Sequence, residues 1–306
     1  MPQAVSRRRA PLSTAPVGQI APRAGQDCNP RLDRLRVFAR NRAAVAGCVI
    51  LGLLVCLALF APLLTSYSPT QENLSAAFQL PSSKHWLGTD DLGRDIFSRI
   101  IYGGRYTLSI GIVAVGIAAV IGVPLGLISG YLQGVTDMII QRVTDVLLSF
   151  NSFLLALVLV AVFGAGLGSV TIAAGIGVVP QFIRLARGQA LSIREEVYVE
   201  AAVAFGSNSL TILRRHILRN SVTPVTIYAT LNAGVAILVV AGLGFLGLGV
   251  QPPAPEWGSM LGEARVYFFQ YPYQMTFPGL VIFLAVLSFN LIGDGLRDAF
   301  DPGTRE

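Results

Sequence analysis

Two histidines, His85 and His216, and two carboxylate pairs, Asp90–Asp91 and Asp294 with Asp298, are the side chains whose types and spacing could do chemistry. A carboxylate pair can divide acid and base roles, and histidine with carboxylates can hold a metal. Neither use suits this chain. The topology below puts His85 and His216 on opposite sides of an apolar barrier, so they cannot share a metal or act as a pair. The aspartates fall at the barrier's edges and read as groups facing water. Cys28, Cys48 and Cys56 form no CxxC pair and indicate neither a disulfide framework nor a zinc site. Neither GxxxxGK[ST] nor GxSxG occurs. The expectation is a chain with no catalytic residue, no metal and no cofactor, in which any ATP must be hydrolysed by another subunit.

The elements that must position these residues are apolar. Of 306 residues 53% are hydrophobic and 13% charged, with a mean hydropathy of +0.62, against about 25% charged in a soluble domain. Lipid is the natural solvent for such an excess. Charge-free runs cover 43–71, 106–136, 146–183, 220–255 and 266–293. A span needs about 20 apolar residues, so the run at 146–183 holds two helices, turned at Gly164, Gly166 and Gly168. The reading is all-α, with six membrane helices at 43–65, 106–130, 146–164, 168–186, 222–246 and 274–293, none carrying a charge in its interior. The domains follow: a disordered basic tail (1–42), a first membrane helix, an external segment with an interfacial helix (66–105), a five-helix core (106–293) and a C-terminal tail (294–306).

Charge orients the spans. With the N-terminus inside, the inner segments hold 18 of the 23 Lys and Arg. The outer ones hold only Lys84, Arg94, Arg99, Arg105 and Arg265, which satisfies the positive-inside rule and places both termini in the cytoplasm. The pI of about 9.5 therefore reports topology, not nucleic-acid binding. Pro124 and Pro180 are expected to bend their helices.

One inner segment, 187–221, is unlike the rest. GQALSIREEVYVEAAVAF forms a helix, Gly206 breaks it, Ser207 or Asn208 caps a second, and SLTILRRHILRN follows. Leu210, Leu213 and Ile217 share one face by spacing. Periodicity leaves open whether this helix–turn–helix rests on lipid or docks a protein.

Glu200, Ala201 and Ala202, with Gly206 four residues on and Ile212 six beyond that, resemble the EAA loop of ABC importer permeases. HWLGTDDLGRDIFSRIIYGGR (85–105), DMIIQRVTDVLLSFNSFLLA (137–156), FLGLGVQPPAPEWGSML (245–261) and FNLIGDGLRDAFDP (289–302) narrow the resemblance to the dipeptide/oligopeptide permeases, DppC/OppC-type. Asn151 and Arg219 stand where that family usually has proline. With Arg219 there, the second helix either lengthens or ends at Pro224. The resemblance implies a type I ABC importer (MetI-like) permease fold in a bacterial cytoplasmic membrane. It implies a homologous second permease (DppB/OppB-like), two ABC ATPase subunits, an extracytoplasmic binding protein and a peptide substrate as partners. Glu200, Ala201, Ala202, Gly206, Leu210, Leu213 and Ile217 would couple to the ATPase, and Pro252, Pro253 and Trp257 would lie on the face that receives the binding protein. Nickel chelates, glutathione or another small solute are alternative cargoes. A secondary carrier or channel is the alternative of another class, and a membrane hydrolase would need a polar cluster within the bundle.

From the residues themselves, Ile96, Phe97, Ile100 and Ile101 form an apolar face, with Asp95, Ser98 and Arg99 turned away, as in a short interfacial helix. Pro252, Pro253 and Pro255 preclude regular helix, and Trp257 reads as an anchor at the lipid interface. Asp294, Arg297 and Asp298 mark the inner end of the last helix, stopped by Asp301-Pro302-Gly303.

Overall fold

The computed structural model describes residues 37–300. Most of the basic tail and the Asp301-Pro302-Gly303 stop lie outside the described residues.

The fold is built from α1 (Arg42–Leu59), α2 (Ile96–Leu132), α3 (Gly134–Leu148), α4 (Ser152–Phe163), α5 (Leu167–Arg194), α6 (Val197–Ala204), α7 (Ser209–Ile212), α8 (Leu218–Phe245), α9 (Trp257–Ala264) and α10 (Tyr273–Phe300). Five stretches are long and apolar enough to cross a membrane, and α3 with α4 makes a sixth if that bent pair is one span. Among the described residues the only β pairing is an isolated Thr89–Asp95 bridge.

Packing follows small residues. Gly122, Gly126 and Gly130 form a stripe on α2 laid against α5: a Cβ at Gly122 would stand 2.6 Å from that of Phe182, and one at Gly130 2.6 Å from the Arg187 carbonyl. Without a hydrophobic driving force between helices in lipid, such close approach is what holds them together. Ala114, Ala118, Ala173, Ala174, Ala186 and Ala190 are all buried in the core that α2, α5 and α8 share. The outer helices α1 and α4 show the opposite pattern, with Val49, Leu53, Val158 and Val162 exposed on surfaces suited to acyl chains.

Several sequence expectations are corrected. The third span is not straight: α4 has 12 residues, about 18 Å, and meets α3 at 89°. Asn151 causes the break, its Oδ1 accepting from the Phe153 amide at 2.9 Å and starting a new helix. The interfacial helix is no separate element, because α2 runs unbroken for 37 residues from its Asp95 cap. Asp95, Ser98 and Arg99 do not turn away to water; all are at most 5% exposed. Asp90, read as water-facing, is 8% exposed. The helices also outrun the sequence-read spans, so Arg99, Arg105 and Arg187 lie within them, as Arg184 does at the inner end of its span. Pro224 does not stop a helix: it lies inside α8, with Arg219 in its first turn. The second helix of the inner loop therefore continues into the bundle, and the start of α8 carries no break at Arg219.

Candidate functional site

The inner loop is an elbow held by backbone chemistry. α6 is capped at Phe205, and Gly206 follows with φ +77. The Ser207 amide donates to the Ala202 carbonyl at 3.0 Å, and the Gly206 amide donates to that of Val203 at 2.9 Å. These two bonds make a Schellman motif, which needs a left-handed residue at the Gly206 position. Space around Gly206 is open, so the requirement is conformational. Asn208 caps α7, its side chain accepting from the Leu210 amide.

The second half of the elbow leaves α-helical register. Leu213–Ile217 is a π turn between α7 and α8. In an α-helix, residues five apart point in different directions, but one wider turn aligns them. Ile212 and Ile217 thereby both enter the core, at 1% and 0% exposure, beside Val199 and against α5 and α8. The common face read from spacing is accordingly divided: Ile217 is buried, Leu213 half-buried and Leu210 59% exposed. Glu200, Ala201 and Gly206 are exposed and Ala202 is half-buried.

Sequence reasoning missed the outward side of the elbow. Apart from Leu210, which it named, the apolar side chains of Val197, Val203 and Phe205 are exposed there, with Phe205 90% exposed. The signal lay in VYVEAAVAF itself, where apolar residues occupy every face of a helix only eight residues long. Beside the elbow an open groove of about 760 Å³ is lined by Tyr131, Gln133, Leu191, Glu195, Glu200 and Val203.

The far end of the bundle is clamped by charge. Arg94 Nε donates to Asp90 at 2.6 Å, while Arg94 and Arg99 each donate an Nη2 hydrogen to Glu263 Oε2, at 2.8 and 3.0 Å. His85 Nδ1 lies 2.9 Å from Asp95, and Asp95 Oδ2 accepts from the Ser98 amide and hydroxyl. Pro252 and Pro253, joined by a cis peptide bond, are exposed. Trp257 is not at a lipid interface. It is 1% exposed, and its Nε1 donates to the Ile100 carbonyl at 2.8 Å, because α9 folds back between α8, α10 and α2.

Glu256, which no motif reading singled out, caps α9. Its carboxylate accepts from the Gly258 and Ser259 amides at 2.8 Å and from the Thr107 hydroxyl at 3.1 Å. Burial raises its pKa, and the two amides and the hydroxyl oppose that shift without cancelling it. Among the described residues no group of three or more His, Cys, Asp or Glu side chains is placed to hold a metal.

Residues 122–306 match the family model described as "Binding-protein-dependent transport system inner membrane component", and residues 30–81 match "N-terminal TM domain of oligopeptide transport permease C". The chain is 47% identical to the dipeptide transport system permease protein DppC of Alkalihalophilus pseudofirmus, over 90% of each chain. It is 46% identical to the glutathione transport system permease protein GsiD of Pectobacterium atrosepticum, over 97% of each. A solved inward-facing structure of the MetNI methionine ABC transporter superposes with a TM-score of 0.54 at 19% identity. That match covers 66% of this chain and 96% of the other and shows the shared fold.

Proposed function

The chain belongs to the binding-protein-dependent transport-system inner-membrane component family, and from that premise we propose that it carries di- or oligopeptides inward as one permease subunit of an ATP-driven importer. The peptide reading rests on the 47% identity to a dipeptide permease across nine-tenths of both chains. Glutathione is the second reading, favoured by 46% identity to a glutathione permease over a still larger share.

One observation carries the mechanism: a rigid elbow at the inner end of the bundle with its apolar side chains turned outward. Val203, Phe205 and Leu210 form a surface that water does not favour and that no element among the described residues covers. Glu200, Ala201, Ala202 and Gly206 shape the elbow, and Leu213 and Ile217 root it in the bundle. In our reading this is where a separate ATPase subunit seats. Its closure on ATP pushes the elbow, and α5 and α8 rock with it to alternate access between the two sides. A homologous permease completes the pore. A loaded binding protein docks outside, on the face carrying Pro252 and Pro253, with Trp257 bracing that face from beneath. Both termini then lie in the cytoplasm, and this chain performs no hydrolysis itself.

The test is Gly206→Trp. The variant is expected to insert normally, lose co-purification with the ATPase subunits and lose ATP-dependent uptake. Normal assembly and uptake would remove the elbow from the coupling role.

A further inference from the structure

Gly177, Gln181, Arg184, Gly188, Leu191 and Glu195 follow one another at spacings of 4, 3, 4, 3 and 4 along α5 and its cap, so they share one helix face. In the outer half of α5 that face is covered: a Cβ at Gly177 would stand 3.0 Å from the Ser152 carbonyl of α4. The cover ends at Ser152, where α3 departs at 89°. Beyond it the face is polar and opens, with Gln181 half-buried and Arg184 and Gly188 exposed. Gln181 Nε2 donates to Ser152 Oγ at 3.3 Å, and the Tyr228 hydroxyl of α8 donates to Gln181 Oε1 at 3.2 Å. Arg184 Nη2 donates to Asp145 Oδ1 at 2.9 Å, with the two side chains 62% and 55% exposed.

Depth makes this arrangement informative. α5 has 28 residues, about 42 Å, and Gln181 lies at its midpoint. Arg184 is about 5 Å further along, one residue past the charge-free run 146–183 and so at the inner edge of a hydrocarbon core of about 30 Å. An exposed ion pair at that depth is poorly suited to acyl chains; such groups face water-filled paths and mark the route of polar solutes. The space around Gly188 is open, and Leu191 and Glu195, next on the face, line the 760 Å³ groove beside the elbow.

We infer that this face of α5 lines the inner half of the solute path, and that Arg184 and Asp145 form a subsite for a small zwitterionic solute. The inference rests on the permease reading above. An exposed ion pair is held weakly, so its partners exchange readily. Arg184 releases Asp145 and takes the solute carboxylate, while Asp145 takes the solute ammonium. Gln181, with its Ser152 and Tyr228 partners, offers the peptide group a donor and an acceptor just above.

The experiment uses the complete importer, with its second permease, ATPases and binding protein, in proteoliposomes. With Cys28, Cys48 and Cys56 replaced by alanine, Gln181→Cys and Gly188→Cys should react with a charged, membrane-impermeant thiol reagent at least tenfold faster than Val158→Cys, which sits on the exposed apolar side of α4. Reaction as slow as at Val158 would mean that lipid or the second permease covers this face, and would overturn the proposal. The double variant Arg184→Gln, Asp145→Asn should take up radiolabelled dialanine at least fivefold more slowly per ATP hydrolysed, with hydrolysis stimulated by the loaded binding protein within twofold of the wild type. Unchanged uptake per ATP overturns the subsite. Loss of hydrolysis together with uptake also overturns it, since the pair would then be structural. A wild-type complex with no ATP-dependent uptake would instead remove the importer reading and the subsite with it.

Discussion

Glu256 shows how one residue type can serve a role that no motif announces. Its two oxygens accept from the first amides of α9 and from Thr107, as a helix cap does, yet it is fully buried and burial raises its pKa. With the native value above the unfolded one, the folded protein holds a proton that the unfolded chain releases once pH passes the ordinary carboxylate value. Stability is therefore fully present below that value, and falls as pH rises toward the raised native value. Melting temperature measured in detergent across that window should fall with rising pH in the wild type and stay flat in Glu256→Gln. An equal pH slope in both proteins would show that Glu256 is not the titrating group.

At the scale of elements, the legible features were those with a strong local cause. The apolar runs and their separation by charge placed the five long spans, and the turn at Gly164–Gly166 lies where its glycines stand. The elbow was legible because Gly206 and Asn208 signal a stop and a start within three residues. What escaped depends on register or on distant partners. The π turn leaves no mark in LRRHI, yet it decides that Ile212 and Ile217, not Leu210, enter the core. The 89° bend needed only Asn151 in a cap geometry, inside a run whose hydropathy read as continuous. Arg99 looked like a surface residue by periodicity, because its acidic partner Glu263 is 164 positions away. The π register carries its own prediction. Ile212→Ala and Ile217→Ala should each cost about 2–5 kcal/mol as buried truncations, whereas Leu210→Ser should fall within about 0.5 kcal/mol while weakening ATPase co-purification. Thermal unfolding of the purified chain separates the two classes, and equal costs for Leu210 and Ile217 would reject the divided face.

Across the whole molecule, the end away from the elbow is tied by charge and the elbow itself by backbone geometry, so in the proposed coupling role motion imposed at the elbow would meet a braced far end. The brace joins the segment before α2, α2 itself and α9. Arg94 bridges Asp90 to Glu263, and Arg99 reaches the same Glu263 from α2. The two arginines differ in what they keep if Glu263 is lost. Arg94 retains its 2.6 Å bond to Asp90. Arg99 is 1% exposed, makes no hydrogen bond through Nη1 and meets Asp90 only at 3.6 Å. Removing one partner of a buried pair leaves an uncompensated charge and costs about 3–5 kcal/mol, while an apolar replacement of the whole pair is often close to neutral. Glu263→Ala should therefore destabilise the chain by about 3–5 kcal/mol, and adding Arg99→Met to it should recover more than half of that loss. A double-mutant cycle by thermal unfolding in detergent checks the coupling. If the two substitutions add instead, Glu263 stabilises the outer end through Arg94 alone, and α2 is held there by its packing against Trp257.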